Sequence, residues 1–132
     1  MKKLMFLILF VIVFLLSACS MAKTQTLEEF YRDAKIENVD KAIIQDGSTG
    51  YSKTISKQEQ IDELLNLIKD IEFTPLDYQE ERKGWRYGIA LFDGEKEFIF
   101  TLSEIDNTYY DSHPNIYPIV GNYYKQLDVE EK

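Results

Sequence analysis

Cysteine occurs once in this chain of 132 residues, at Cys19, and histidine once, at His113. A lone cysteine excludes an internal disulfide, so stability has to come from a packed core. A zinc site would have to draw most of its ligands from carboxylates. Positive charge is also short: 15 Lys and Arg stand against 23 Asp and Glu, a net charge of −8. Such a surface suits neither nucleic acid nor flat binding to anionic lipid, both of which call for clustered Lys and Arg. Acidity by itself explains no more than solubility. Proline and glycine are few, at 3 and 6 residues, and no repeat or low-complexity tract appears.

One long apolar run is present, and it comes first. Met1-Lys2-Lys3 is a short positive segment, and Leu4 to Leu16 is an apolar stretch of about 13 residues, within the range of a secretory signal. As a helix it would rise only about 20 Å, too little for a hydrocarbon core of roughly 30 Å. Small residues Ser17 and Ala18 follow, and then Cys19.

The string Leu16-Ser17-Ala18-Cys19 resembles the lipobox of bacterial lipoproteins. The resemblance implies that Cys19 receives a diacylglyceryl group and becomes the N-terminus once residues 1–18 are cleaved. The protein would then sit on the outer face of the cell membrane, extracellular and lipid-anchored, with palmitate-type acyl chains as its membrane partner. Two chains hold stably where one holds only marginally. An ordinary signal peptide with a chance cysteine is the plainer alternative. It leaves the agreement of positive segment, apolar length and lipobox without a cause. Lipidation of Cys19 would also remove the only thiol from catalysis and metal binding. Loss of Lys2 and Lys3 takes the net charge from −8 to about −10.

The mature chain of about 114 residues is the size of one small domain. Residues 19–35 read as lipidated tether and short helix, 36–128 as a single domain, and 129–132 as a frayed tail. Thr26 and Glu29 have capping-box spacing ahead of Leu27, Phe30 and Tyr31, which predicts a helix over 27–35. Val39 to Gln45 and Tyr51 to Ile55 read as strands around the turn cluster Asp46 to Gly50. Ser56 with Glu59 predicts a second capping box. Behind it, Ile61, Leu64, Leu65, Ile68 and Ile71 recur at helical spacing over about 14 residues. Ile71 to Tyr78 is extended, with Pro75 marking an edge or a strand end.

The strongest hairpin signal is Trp85 to Phe92, Asp93-Gly94, then Glu95 to Leu102. A two-residue Asp93-Gly94 turn opposes Ile89 to Phe98 and Tyr87 to Phe100. It gathers Trp85, Tyr87, Ile89, Leu91, Phe98, Phe100 and Leu102 on one face. Phe92 and Ile99 remain on the other, a second partly apolar face. Ser103 to Asn115 reads as a polar loop with a short strand near Tyr109 and Tyr110. Ile116 to Leu127 reads as a closing helix with Pro118 near its first turn. The order α-β-β-α-β-β-β-α predicts an α+β fold, with an antiparallel sheet of about four to five strands packed on one or two helices. Lys53-Thr54-Ile55-Ser56, a capped helix and an aromatic hairpin together resemble a group of small, uncharacterised lipoproteins of Gram-positive bacteria, over residues 36–127. That resemblance implies no activity.

Chemistry-bearing residues are sparse. His113, in Asp111-Ser112-His113-Pro114, reads better as a loop histidine than as a catalytic base. Asp106, Asn107 and Asp111 lack calcium-loop spacing. No cofactor or metal site is expected. Tyr109, Tyr110, Tyr117, Tyr123 and Tyr124 cluster, and tyrosine is enriched at recognition surfaces, though it also fills small cores. The sequence therefore predicts a non-enzymatic binding module for a protein or cell-wall partner, with Tyr109, Tyr110 and Tyr117 as its candidate surface. The alternative is a carboxylate-based hydrolase of cell-wall glycan, with a pair such as Glu104 and Asp106.

Overall fold

The computed structural model describes residues 23–80 and 84–132. The signal segment, Cys19 and Glu81-Arg82-Lys83 lie outside the described residues. The elements run β1 (Gln25–Thr26), α1 (Leu27–Asp33), β2 (Lys41–Asp46), β3 (Ser52–Ile55), α2 (Gln58–Ile68) and β4 (Glu72–Pro75). They continue with β5 (Tyr87–Asp93), β6 (Lys96–Thr101), β7 (Glu104–Ile105), β8 (Thr108–His113) and α3 (Ile116–Gln126). The fold is α+β. Its strands divide between two antiparallel sheets, ordered β3-β2-β5-β6 and β1-β4-β8-β7. No described helix is long and apolar enough to cross a membrane.

Helix α1 starts as its sequence dictates. The Thr26 hydroxyl accepts from the Glu29 amide at 3.3 Å, and the Glu29 carboxylate accepts from the Thr26 amide at 3.2 Å. The helix ends in a Schellman motif, with the Ile36 amide on Tyr31 and the Lys35 amide on Arg32, both at 2.9 Å. Lys35 occupies the left-handed position, φ +67°, where glycine is usual. Leu27, Phe30 and Tyr31 face inward. The Phe30 ring meets Phe73 of β4 and Tyr110 of β8 edge-on, with centroids 6.2 and 5.4 Å away.

Helix α2 begins later than its sequence implies. The Ser56–Glu59 capping box does not form. Lys57 is the N-cap, without a side-chain bond, and the helix has 11 residues. Ile55 is fully buried and paired with Ala42 across β2–β3, which keeps the chain extended up to Ser56. Ile61, Leu64 and Ile68 supply its buried face, and Ile71 enters the core after the helix has ended.

Trp85 apart, the β5–β6 hairpin keeps the predicted faces but not the predicted partners. Asp93 pairs with Lys96, Leu91 with Phe98 and Ile89 with Phe100, so the turn is Gly94-Glu95. Moving the turn by one residue shifts pairing by two, and a period-two pattern survives that shift. Hydrogen bonds with the segment before β2 fix the choice. The Asp93 carboxylate accepts from the Glu37 and Asn38 amides at 3.0 and 3.1 Å, and Asp40 accepts from the Gly94 amide at 2.8 Å. Gly94 takes the positive φ of +61° that this turn needs at its first position.

Tyr87, Ile89, Leu91, Phe98, Phe100 and Leu102 are buried, whereas Trp85 is 41% exposed. Trp85 precedes β5, and its ring lies on the opposite face, over Gly47 and Gly88. On that face Ile99 is open, while Phe92 sits under the Lys41 ammonium, 4.4 Å from its ring centre.

The Ser103 to Asn115 stretch, read as a loop with a short strand near Tyr109 and Tyr110, has that strand as the second arm of a hairpin. Asp106 and Asn107 both take positive φ, 49° and 63°, which is the two-residue turn that Asp and Asn tolerate without glycine. Its second strand, β8, pairs with β4 from Glu72↔His113 to Pro75↔Tyr110 and so builds the second sheet.

The C-terminal residues are not frayed. Ser52 and Lys132 exchange both backbone hydrogen bonds at 3.0 Å, and Glu131 bridges to Lys53. The tail satisfies the outer edge of β3, an edge strand whose open amides draw it in.

Candidate functional site

The predicted tyrosine surface separates into core and exterior. Tyr109 and Tyr110 are neighbours on β8 and are both buried. Tyr110 completes the ring cluster with Phe30 and Phe73, and burial raises the pKa of its phenol. The backbone of Tyr109 is clasped by Gln79, whose amide oxygen accepts from the Tyr109 amide at 2.8 Å while its NH₂ donates to the Tyr109 carbonyl at 3.0 Å. Gln79 thus extends the β8 ladder with a side chain. Tyr123 and Tyr124 are also buried, and their phenols donate to the Gln60 carbonyl at 2.9 Å and the Glu131 carboxylate at 2.6 Å. Burial pushes Tyr123 up to about 12, and burial with the Glu131 carboxylate pushes Tyr124 well above the usual tyrosine range.

Tyr117 alone of these five stands at the surface, 37% exposed. Helix α3 positions it. Asn115 caps the helix by accepting from the Tyr117 amide at 3.1 Å, and Ile116, Val120, Tyr123 and Tyr124 face the core. That leaves Tyr117, Pro118, Gly121, Asn122 and Lys125 along the outer side, at spacings that share a helix face. With Tyr87 at the start of β5 and Arg86 just before it, they line a groove of about 250 Å³. Tyr87 forms its inner wall: a Cβ placed on Gly121 would lie 3.7 Å from the Tyr87 ring.

The groove carries two cations and no carboxylate. Among the described residues neither Arg86 nor Lys125 forms an ion pair. Arg86 lies 5.7 Å from the Tyr87 ring centre. Asp46 senses Arg86, but its carboxyl is held below the usual range first by the Ser48 hydroxyl, at 2.6 Å, and only secondarily by the guanidinium. The Tyr117 phenol and the Asn122 amide likewise find no intramolecular hydrogen bond among the described residues, in contrast to the phenols of Tyr31, Tyr123 and Tyr124.

The other sequence candidates do not assemble. Glu104 lies in β7 and Asp106 in the exposed turn after it, and neither lines the grooves at Tyr117, at Thr74 or at the C-terminus. His113 is exposed at the end of β8. Among the described residues no three His, Cys, Asp or Glu side chains converge as metal ligands would. Sequence reasoning missed Lys125 and Asn122, although their helical spacing from Tyr117 and Pro118 was readable. Arg86 carried no such signal, because it reaches the groove through the packing of β5 against α3. Comparison with protein-family models, curated proteins and solved structures finds no match to this chain.

Proposed function

We propose that this chain is an extracellular lipoprotein, held at the outer face of the cell membrane by lipid on Cys19, that works as a non-enzymatic binding module through the Tyr117 groove. The observation that carries the binding role is the unmatched polar set of Arg86, Tyr117, Asn122 and Lys125 around one cavity. These groups donate hydrogen bonds and hold charge, which suits recognition of a protein or wall-polymer partner. A glycan hydrolase built on Glu104 and Asp106 has less behind it, because it needs two carboxylates facing one cleft.

Crosslinking in intact cells with the full chain tests the reading. Tyr117→Ala should lose the captured species while melting at the same temperature. Tyr109→Ala and Tyr110→Ala should instead lower the melting temperature. Cys19→Ala should shed the protein from the membrane fraction. Capture that is indifferent to Tyr117 would remove the groove from the function.

A further inference from the structure

We propose that the Tyr117 groove recognises a phosphate monoester on a small sugar or polyol, a ligand class that rests on the binding role given above. Two cations line one cavity that has no carboxylate in its wall, with Asp46 acting on Arg86 only from outside it, so positive charge gathers there in a chain whose net charge is −8. One carboxylate would balance half of it. A phosphate monoester carries about −1.5 to −2 at neutral pH, with three acceptor oxygens. The Arg86 fork can take two of those oxygens side by side, and the Lys125 ammonium acts as a compact second charge.

The remaining lining fits the body of such a ligand. The Tyr117 and Pro118 rings offer apolar faces, and the Tyr117 phenol and Asn122 amide offer hydrogen bonds to hydroxyl groups. The volume of about 250 Å³ falls just below the roughly 300–1,000 Å³ of drug-sized sites. A cavity of that size holds one compact dianion, whereas an acidic peptide would need several residues to bring two charges. A Cβ on Gly121 would rest against the Tyr87 ring in ordinary contact at 3.7 Å, so the glycine widens the cavity only by the room of a methyl group.

The test is titration of the full chain, in detergent, with glucose 1-phosphate, using glucose and a short glutamate peptide as comparisons. Calorimetry and amide chemical shifts serve as readouts. Glucose 1-phosphate should bind and shift Tyr117, Gly121 and Asn122, and glucose should bind at least about tenfold more weakly. Arg86→Gln and Lys125→Gln, both exposed positions, should each weaken binding about tenfold without changing the melting temperature. Raising salt from about 50 to about 200 mM should weaken it further. Displacement by vesicles containing phosphatidic acid would place the ester in a lipid headgroup. Failure to displace would place it in a soluble sugar phosphate, and both outcomes keep the phosphate ester. Equal binding of glucose, preference for the glutamate peptide, or indifference to both variants overturns the proposal. If phosphate binding fails while Tyr117-dependent capture persists, the ligand class is wrong and the binding role stands.

Discussion

The Lys53 ammonium donates to the Tyr124 carbonyl at 2.7 Å and lies 4.7 Å from the centre of the Tyr124 ring. A second bond reaches the Leu127 carbonyl at 2.9 Å. One side chain from β3 therefore satisfies two carbonyls at the end of α3, where a cation also meets the negative end of the helix dipole. Lys53→Met keeps the apolar stem and removes the charge. It should lower unfolding free energy by about 2 kcal/mol, the scale of hydrogen bonds from a charged donor, in urea denaturation. An unchanged midpoint would mean that water replaces the ammonium without loss.

The buried phenols make the protein sensitive to alkali. Burial is the first cause of the raised pKa of both Tyr31 and Tyr123, each reaching about 12 from an ordinary value of 10.0, and Tyr124 is raised further. In each case the folded state holds its proton more tightly than the unfolded chain. Their contribution is therefore complete below pH 10 and lost as pH rises toward 12 and beyond. Absorbance of tyrosinate near 295 nm should rise together with loss of circular dichroism over that window. Ionisation of all nine tyrosines near pH 10 with the fold intact would contradict the buried environments.

Lys35→Gly should stabilise the domain by about 1 kcal/mol. The Schellman position at φ +67° is strained for lysine and relaxed for glycine. Thermal melting checks this, and a fall in melting temperature would show that the stem of Lys35 contributes more than its backbone costs.

Gly47→Ala should act in the opposite sense. A Cβ there would overlap the Trp85 carbonyl oxygen and sit 2.7 Å from its ring. The Gly47 amide also donates to the Arg86 carbonyl at 2.7 Å, so the strands cannot part freely. A loss of about 1–3 kcal/mol is expected, as for other overpacked sites. Gly50→Ala meets no atom within 4 Å but carries φ +79°, so it should show only backbone strain.

The sequence disclosed what periodicity encodes and concealed what depends on distant partners. Capping at Thr26, the inward stripe of α2 and, Trp85 apart, both faces of the β5–β6 hairpin follow from local spacing. The hairpin register did not, because Glu37, Asn38 and Asp40 set it from more than 50 residues away. The β7–β8 hairpin was hidden because Asp106-Asn107 makes a glycine-type turn without glycine. Of the site, Tyr117 was legible as one member of a tyrosine cluster. Its isolation at the surface was not, since adjacent tyrosines on a strand and a helix reveal burial only once the sheets are assembled.

Strand β1 has one mechanical consequence. It joins β4 through two residue pairs, Gln25↔Phe73 and Thr26↔Glu72, and the Leu27 and Glu28 amides donate two further hydrogen bonds to the Ile71 and Lys69 carbonyls. A pull applied from the N-terminal side therefore loads this short splice first, with Leu27, Phe30 and Tyr31 as its apolar grip. The Tyr117 groove is built on α3 and the start of β5, and β5 belongs to the other sheet. Such a pull would draw out β1 and α1 before the force reached the groove.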